Sequence, residues 1–268
     1  MSVIESIKQR RSVRSYNGEP LQKTDADSIL NFISELKAPF GVNVRIKLIH
    51  GHTGDKPIKL GTYGWVSNAT DFLVLIYEPG SLAEESAAYV FEELILYCTQ
   101  LGLGTCWLGG SFSRKDFAGQ IDLKPNEKLR IVSPVGYAGT KKNFVETYVV
   151  RAEKHHASRK PFGKNFFYKD PSTPLTEEIA GVYAQPLEMV RLAPSANNTQ
   201  PWRIVFDEDK LHFYKTFSFG FDAIDLGIAL CHFEKACQEL NISGHFEVLD
   251  IPQKGMKYSI SWIGEQQD

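Results

Sequence analysis

Two short stretches of this sequence combine residue types that can do chemistry together. The first is Arg10-Arg11-Ser12-Val13-Arg14, three cations and a hydroxyl within five residues. Guanidinium groups grip phosphate oxygens in pairs, so the cluster is a compact anion site. A solvated basic helix end, favoured by the helix dipole, has the same composition. The second stretch is Pro194-Ser195-Ala196-Asn197-Asn198-Thr199-Gln200-Pro201-Trp202. Its small residues let a flat polar ligand approach the backbone, and its amides and hydroxyls offer donors and acceptors to a heteroaromatic edge. An ordinary helix–turn–strand connection also reads this way.

The elements that must hold these stretches are visible in the apolar spacing. Val3, Ile4 and Ile7 predict a helix over 3–10 that delivers the arginines. Leu187 to Leu192 is the end of an apolar helix, stopped because Pro194 disfavours the α conformation before it. Pro201 marks a strand start, and Trp202 to Phe206 reads as the strand. Asp25–Leu36 is an amphipathic helix, Val42–Ile49 an alternating strand and Asp71–Tyr77 a buried strand. Ser86–Leu101 is apolar around most of its circumference, which predicts a helix buried on several sides and closed by Gly102 and Gly104. Gly61-Thr62-Tyr63-Gly64-Trp65 is a glycine-flanked aromatic turn. Arg130–Val135 is a further buried strand before Gly136-Tyr137-Ala138-Gly139.

Composition excludes several classes. The 268 residues are 43% hydrophobic and 23% charged with a net charge of −2, which suits one large or two modest domains. No basic field points to nucleic acid or to an anionic membrane. The longest apolar runs, such as Phe72 to Tyr77, are too short to span a bilayer. No apolar signal segment is read at the N-terminus, so a cytoplasmic location is expected. Cys98, Cys106, Cys231 and Cys237 show no C-x-x-C pairing and suit reduced, buried thiols. His155 and His156 are adjacent and do not converge on one ion, so no metal is expected. Ser195 lacks a G-x-S-x-G elbow, and no glycine-rich dinucleotide fingerprint follows a strand.

The second stretch resembles the A-P-S-x-x-N-x-Q-P-W element of the FMN-dependent nitroreductase family, through Ala193, Pro194, Ser195, Asn198, Gln200, Pro201 and Trp202. The first resembles that family's opening R-R-S-x-R, followed by an aromatic residue, Tyr16, and a turn before Pro20. Pro134-Val135-Gly136-Tyr137 resembles its P-V-G-Y strand. Arg159-Lys160-Pro161-Phe162 follows at a suitable distance for its terminal phosphate-binding cations. The resemblance implies an α+β nitroreductase-like fold and bound FMN. It assigns Arg10, Arg11, Ser12 and Arg14 to the phosphate, ribityl chain and pyrimidine edge, and Arg159 and Lys160 to additional phosphate charge. Pro194, Ser195, Ala196 and Asn198 would line the isoalloxazine. The Leu108-Gly109-Gly110 backbone takes the place of a donor facing flavin N5. Thr62 or Tyr63 takes the place of a family lysine near the pyrimidine. Family members carry a glutamate near Gly109, and its absence here bears on how nicotinamide and substrate are oriented.

The sequence continues where an ordinary nitroreductase ends, and the continuation is similar to the first part. Gly18-Glu19-Pro20-Leu21 recurs as Ser172-Thr173-Pro174-Leu175, and Ala38-Pro39 with Asn43 recurs as Ala193-Pro194 with Asn198. The helix ending Gln100-Leu101-Gly102 recurs as the one ending Glu239-Leu240-Asn241. These landmarks predict two related halves in one chain, 1–157 and 158–268. The alternative is two unrelated halves. The resemblance is to a branch in which one duplicated chain imitates the usual homodimer, so a monomer is expected. The first half keeps the arginines and lacks Ser and Gln-Pro-Trp, whereas the second keeps the loop and has Lys164-Asn165-Phe166-Phe167-Tyr168 at the arginine position. One FMN per chain is therefore expected, with the mirror position filled by Phe40, Phe166 and Phe167.

The function this implies is an FMN-dependent oxidoreductase. It would use NADH or NADPH to reduce a small-molecule substrate, such as a nitroaromatic or a quinone, by ping-pong hydride transfer. No side-chain acid or base is required. The alternatives are an FMN-binding protein with little or no turnover, and a protein with no cofactor whose basic cluster is only surface.

Overall fold

The computed structural model describes residues 1–53, 56–57, 60–141 and 158–265. His155 and His156, and the expected boundary at 157/158, lie outside them. The chain divides into two compact units. One comprises residues 9–156 and the other residues 1–8 with 157–268. The first eight residues thus group with the C-terminal part, whereas the sequence division placed them with the N-terminal half. The reason is visible in α1 (Val3–Gln9), where the amides of Val3 and Ile4 donate to Glu239 Oε2 at 2.7 and 3.1 Å. A carboxylate there satisfies donors that a helix N-terminus leaves unpaired.

In the unit 9–156 the elements are α2 (Lys23–Glu35), β1 (Val44–His50), the short pair β2 (His52–Thr53) and β3 (Lys56–Pro57), β4 (Asp71–Tyr77), α3 (Ala83–Gln100), β5 (Gly104–Thr105), α4 (Arg114–Ala118) and β6 (Lys128–Gly136). Four strands form an antiparallel sheet in the order β1-β4-β6-β5. All seven residues of β4 are buried, which is why Phe72 to Tyr77 is an unbroken apolar run rather than an alternation. Helix α3 packs against β1, β4, β5 and α2. Its C-terminus closes with Gly102 at φ +76° and with the Leu103 amide reaching back to Cys98 O at 2.9 Å. Only a residue without Cβ adopts that turn readily.

The other unit contains α1 up to Lys8, β7 (Phe166–Tyr168), α5 (Glu177–Ala180), α6 (Ala184–Leu192), β8 (Trp202–Asp207), β9 (Lys210–Lys215), α7 (Asp222–Glu239), β10 (Gly244–Glu247) and β11 (Lys257–Gly264). Its sheet runs β10-β11-β9-β8-β7, antiparallel except for β7, which pairs parallel with β8. The buried helix α7 packs on α6, and His232 Nδ1 lies 2.9 Å from Met189 O across that contact. Phe213, Phe233, Phe246 and Trp262 pack edge-to-face between the sheet and α7. Among the described residues each unit thus has one larger, wholly or mostly antiparallel sheet and an 18-residue buried helix, an α+β architecture. Among the described residues no helix is long and apolar enough to cross a membrane. All four cysteines are buried free thiols.

Candidate functional site

Residues 12–16 are held in an extended conformation by their backbone. Val13 N donates to Thr105 O at 2.8 Å, Tyr16 N to Ser67 O at 3.0 Å and Ser67 N to Arg14 O at 2.9 Å. Gly139 N donates to Ser15 O at 2.8 Å, and the Tyr16 hydroxyl reaches Val13 O at 3.0 Å. The segment can lie this close because Gly104 and Gly139 have no side chain. A Cβ on Gly104 would fall 2.8 Å from Val13 Cβ, and one on Gly139 2.7 Å from Tyr16 O.

Apart from the Tyr16 hydroxyl, backbone atoms make these bonds. Arg11 is exposed. Arg10 is different, with only 7% of its side chain exposed and its Nε buried without a hydrogen-bond partner. Its nearest carboxylate is the fully buried Glu92, whose Oε1 is 3.9 Å away. Glu92 Oε2 accepts the indole N–H of Trp107 at 2.7 Å. A buried guanidinium with an unmet donor is an anion-seeking group.

The next expected donor is only partly available. The Leu108 amide donates to Val132 O at 2.9 Å, and Leu108 O accepts from Val132 N at 3.0 Å. This bridge continues the sheet and engages the Leu108 N–H within it. Gly109 and the exposed Gly110 follow it. Thr62 is also engaged locally, its hydroxyl donating to Val66 O at 3.3 Å within the turn that Trp65 N closes onto Thr62 O. Tyr63 is 69% exposed, with φ at +48° beside Gly64 at +78°. These are the angles of a tight left-handed turn. Cys106 packs in the core with Phe72, Phe112 and Phe117.

The other stretch is fixed by side chains. Ser195 Oγ accepts the Gln200 amide at 2.9 Å. Gln200 is buried; its Oε1 accepts the Lys160 amide at 2.8 Å, and its Nε2 donates to Asn198 O at 3.1 Å. Trp202 is fully buried and anchors the start of β8. The motif residues Ser195, Gln200 and Trp202 therefore shape the loop. Asn197, Asn198 and Gln200 all have positive φ, at +49°, +54° and +46°. Asparagine tolerates that region better than most residues, and the surrounding bonds over-determine it.

Arg159 and Lys160 also meet this loop. Arg159 donates to Asn198 Oδ1 at 3.1 Å and to Leu192 O at 3.0 Å, and Lys160 Nζ donates to Thr199 O at 2.7 Å. Burial lowers the Lys160 pKa, and the neighbouring Arg203 adds to the effect. Arg203 in turn donates to Asn165 Oδ1 at 3.0 Å and Gln200 O at 3.1 Å. Beneath the loop, the Ala196 amide donates to Asp225 Oδ1 at 2.9 Å. The sequence reading missed Asp225, Ser218, Asn165 and Arg203. Asp225 within an apolar helix was the one signal available, because a carboxylate is seldom buried without purpose. Of the residues expected to fill a mirror position, Phe166 and Phe167 lie in β7, with Phe166 fully buried against Phe162 at 4.6 Å between ring centroids, and Phe40 is half-buried in the turn Pro39–Gly41. Among the described residues no cluster of His, Cys, Asp and Glu could hold a metal ion.

The α+β fold matches what known proteins show. The model of the family described as "Putative TM nitroreductase" matches residues 2–237, and the chain belongs to that family. A crystal structure described as a "putative nitroreductase" from Thermotoga maritima MSB8 is similar over 98% of this chain and 94% of its own, with a TM-score of 0.63 at 20% identity. At that identity it establishes the fold, over nearly the whole length of both chains. An FMN-dependent nitroreductase from Clostridium difficile R20291 covers 52% of this chain and 90% of its own, with 20% identity and a TM-score of 0.41. A nitroreductase with bound FMN from Bacteroides fragilis NCTC 9343 covers 53% and 91%, with 19% identity and a TM-score of 0.42. No curated protein matches the chain.

Proposed function

We propose that this protein is an FMN-dependent oxidoreductase that uses NADH or NADPH to reduce a small oxidised acceptor such as a nitroaromatic or a quinone. The observation that carries the reading is Arg10, a buried guanidinium whose Nε has no hydrogen-bond partner, within the R-R-S-x-R segment of a nitroreductase-family chain. The residues present fit FMN on that ground. FMN, when bound, would supply two-electron chemistry between the nicotinamide and the acceptor, in ping-pong order.

Arg10, Arg11, Ser12 and Arg14 are the residues we assign to the phosphate and the ribityl and pyrimidine polar groups. Pro194, Ser195, Ala196 and Asn198 are assigned to the ring. Ser195 Oγ already accepts an amide within the loop, so its contribution is shape more than a new bond. Arg159 and Lys160 brace the loop and add positive charge near it. With the Leu108 amide engaged, the N5-facing donor falls to Gly109 or Gly110. Thr62 and Tyr63 are left with a role in turn shape. One FMN per chain is the stoichiometry in this reading, and the chain acts as a monomer in the cytoplasm.

The test is the visible spectrum of protein loaded with FMN and desalted, followed by NADH or NADPH without oxygen. One FMN per chain, bleached by nicotinamide and restored by a quinone, is the expected result. Two per chain would overturn the single-site assignment. Bound FMN that stays oxidised would make this a flavin-binding protein without turnover. Failure to bind FMN would overturn the reading altogether.

A further inference from the structure

Four short contacts beneath the 195–199 loop form a closed ring. The Ala196 amide is 2.9 Å from Asp225 Oδ1, and Asp225 Oδ2 is 2.8 Å from Ser218 Oγ. Ser218 Oγ is 2.7 Å from Thr199 Oγ1, which is 2.9 Å from Ala196 O. The ring begins and ends on Ala196. Each contact needs one proton between its heavy atoms. The amide supplies one and each hydroxyl supplies one, so an ionised Asp225 leaves three protons for four contacts. A carboxylic acid supplies the fourth. The donors then run one way round the ring: Asp225 to Ser218, Ser218 to Thr199, Thr199 to Ala196 O, and Ala196 N–H back to Asp225. With Asp225 ionised, Ser218 must donate to it, and Thr199 can serve either Ser218 or Ala196. The contact left over sets lone pairs against each other at under 3 Å, a repulsive arrangement.

We propose that Asp225 is held as the neutral carboxylic acid and is the positioning residue of the flavin-lining loop, its proton closing the ring that fixes Ala196 and Thr199. The flavin part rests on the function proposed above; the ring does not. The environment agrees with the proton count. Burial pushes Asp225 up to about 7, against the pull of the Ala196 amide and the Ser218 hydroxyl, and Asp222 on the same helix raises it further. Among the described residues the cations near the loop are engaged elsewhere, Lys160 with the Thr199 and Gln200 carbonyls and Arg159 with Asn198 and Leu192. The segment 216–220 brings no charged side chain. The loop needs such a clasp because Asn197 and Asn198 both carry positive φ. The same clasp fixes two exposed rings, since Ser218 is fully buried between Phe217 and Phe219, whose centroids are 5.6 Å apart.

The sign of the pH effect follows from a folded-state pKa raised above the ordinary carboxylate value. The contribution of Asp225 to stability is complete below about 4 and is lost as pH rises to about 7. Asp225→Asn, which cannot ionise, gains on the natural protein over that interval and keeps a constant margin above it.

The first experiment uses flavin-free protein. Infrared spectra of the natural protein minus Asp225→Asn at pH 6 are expected to show a carboxylic C=O band that fades by pH 9. No such band at pH 6 overturns the proton. The Ala196 and Thr199 amide resonances are expected to follow the same titration in the natural protein and to stay still in Asp225→Asn. Static resonances in the natural protein overturn the positioning role. Should Asp225→Asn not fold, Ser218→Ala breaks the ring at another link: Thr199 should then stop following the titration while Ala196 still does. With FMN, the natural protein is expected to lose about tenfold in affinity between pH 6 and pH 9 relative to Asp225→Asn, the equivalent of one hydrogen bond. Identical pH profiles overturn the coupling to flavin. Absence of FMN binding by the natural protein would remove only the functional reading, because infrared and amide titrations still decide the clasp.

Discussion

The arginine segment and the flavin-lining loop are held by opposite means. Residues 12–16 are fixed through backbone pairs to Ser67 and Thr105, with Tyr137-Ala138-Gly139 alongside. The loop 195–200 is fixed by side chains, with Ser195, Gln200, Lys160, Arg159 and Asp225 all directed into it. The difference separates two kinds of work. A backbone-held segment does not need the exposed Arg11 side chain for its shape, whereas a side-chain-held loop presents backbone and small apolar atoms to a ligand and keeps polar groups inside. Substitution of polar residues should therefore harm stability in the loop and binding in the segment.

Gln200→Ala is the strongest way to break this comparison. It removes the acceptor of the half-buried Lys160 amide and the donor to Asn198, and should lower stability by about 3 kcal/mol, read as the urea midpoint. A loss under about 0.5 kcal/mol, the range of an ordinary surface change, would mean the loop does not depend on its side chains. Gly104→Ala probes the other mode. Its Cβ would meet the stiff Val13 side chain at 2.8 Å, so about 2 kcal/mol should be lost together with FMN affinity. Retained affinity would show that the segment adapts without its close approach. Arg11→Ala, at an exposed position, should leave stability within about 0.5 kcal/mol while weakening FMN in a salt-dependent manner. A change in stability without a change in binding would reverse the assignment of the segment.

Arg10 sharpens the comparison because it belongs to both classes. It is a candidate phosphate ligand, yet its burial near Glu92 ties it to the core. Nothing in the five-residue cluster separates Arg10 from Arg11, since adjacent residues of one type read alike. The separation arises from α3, which carries Glu92 from more than eighty positions away.

Much of the local structure was legible. Asp71–Tyr77 is the strand its apolar run predicts, and α1, α2, α3, β6 and β8 lie within a few residues of their expected bounds. Helix α3 is buried on most sides, as its all-round apolarity requires. The sheet in the C-terminal unit was largely illegible. Its strands β10 and β11 mix polar and apolar residues, and β7 is three residues long and pairs parallel with β8. Short strands carry too little periodicity to be distinguished from loops.

By itself, the sequence determined the family motifs, the α+β class and the two segments on which binding is proposed. These depend on residue type and on spacing along the chain, which are local properties. Tertiary structure decided which of those residues remain available. It engaged the Leu108 amide in the sheet, turned Lys160 and Arg159 onto the loop and placed Asp225 under Ala196. A hydrogen-bonding group is committed by whichever partner the fold brings within about 3 Å, and those partners here lie tens of residues away in the chain.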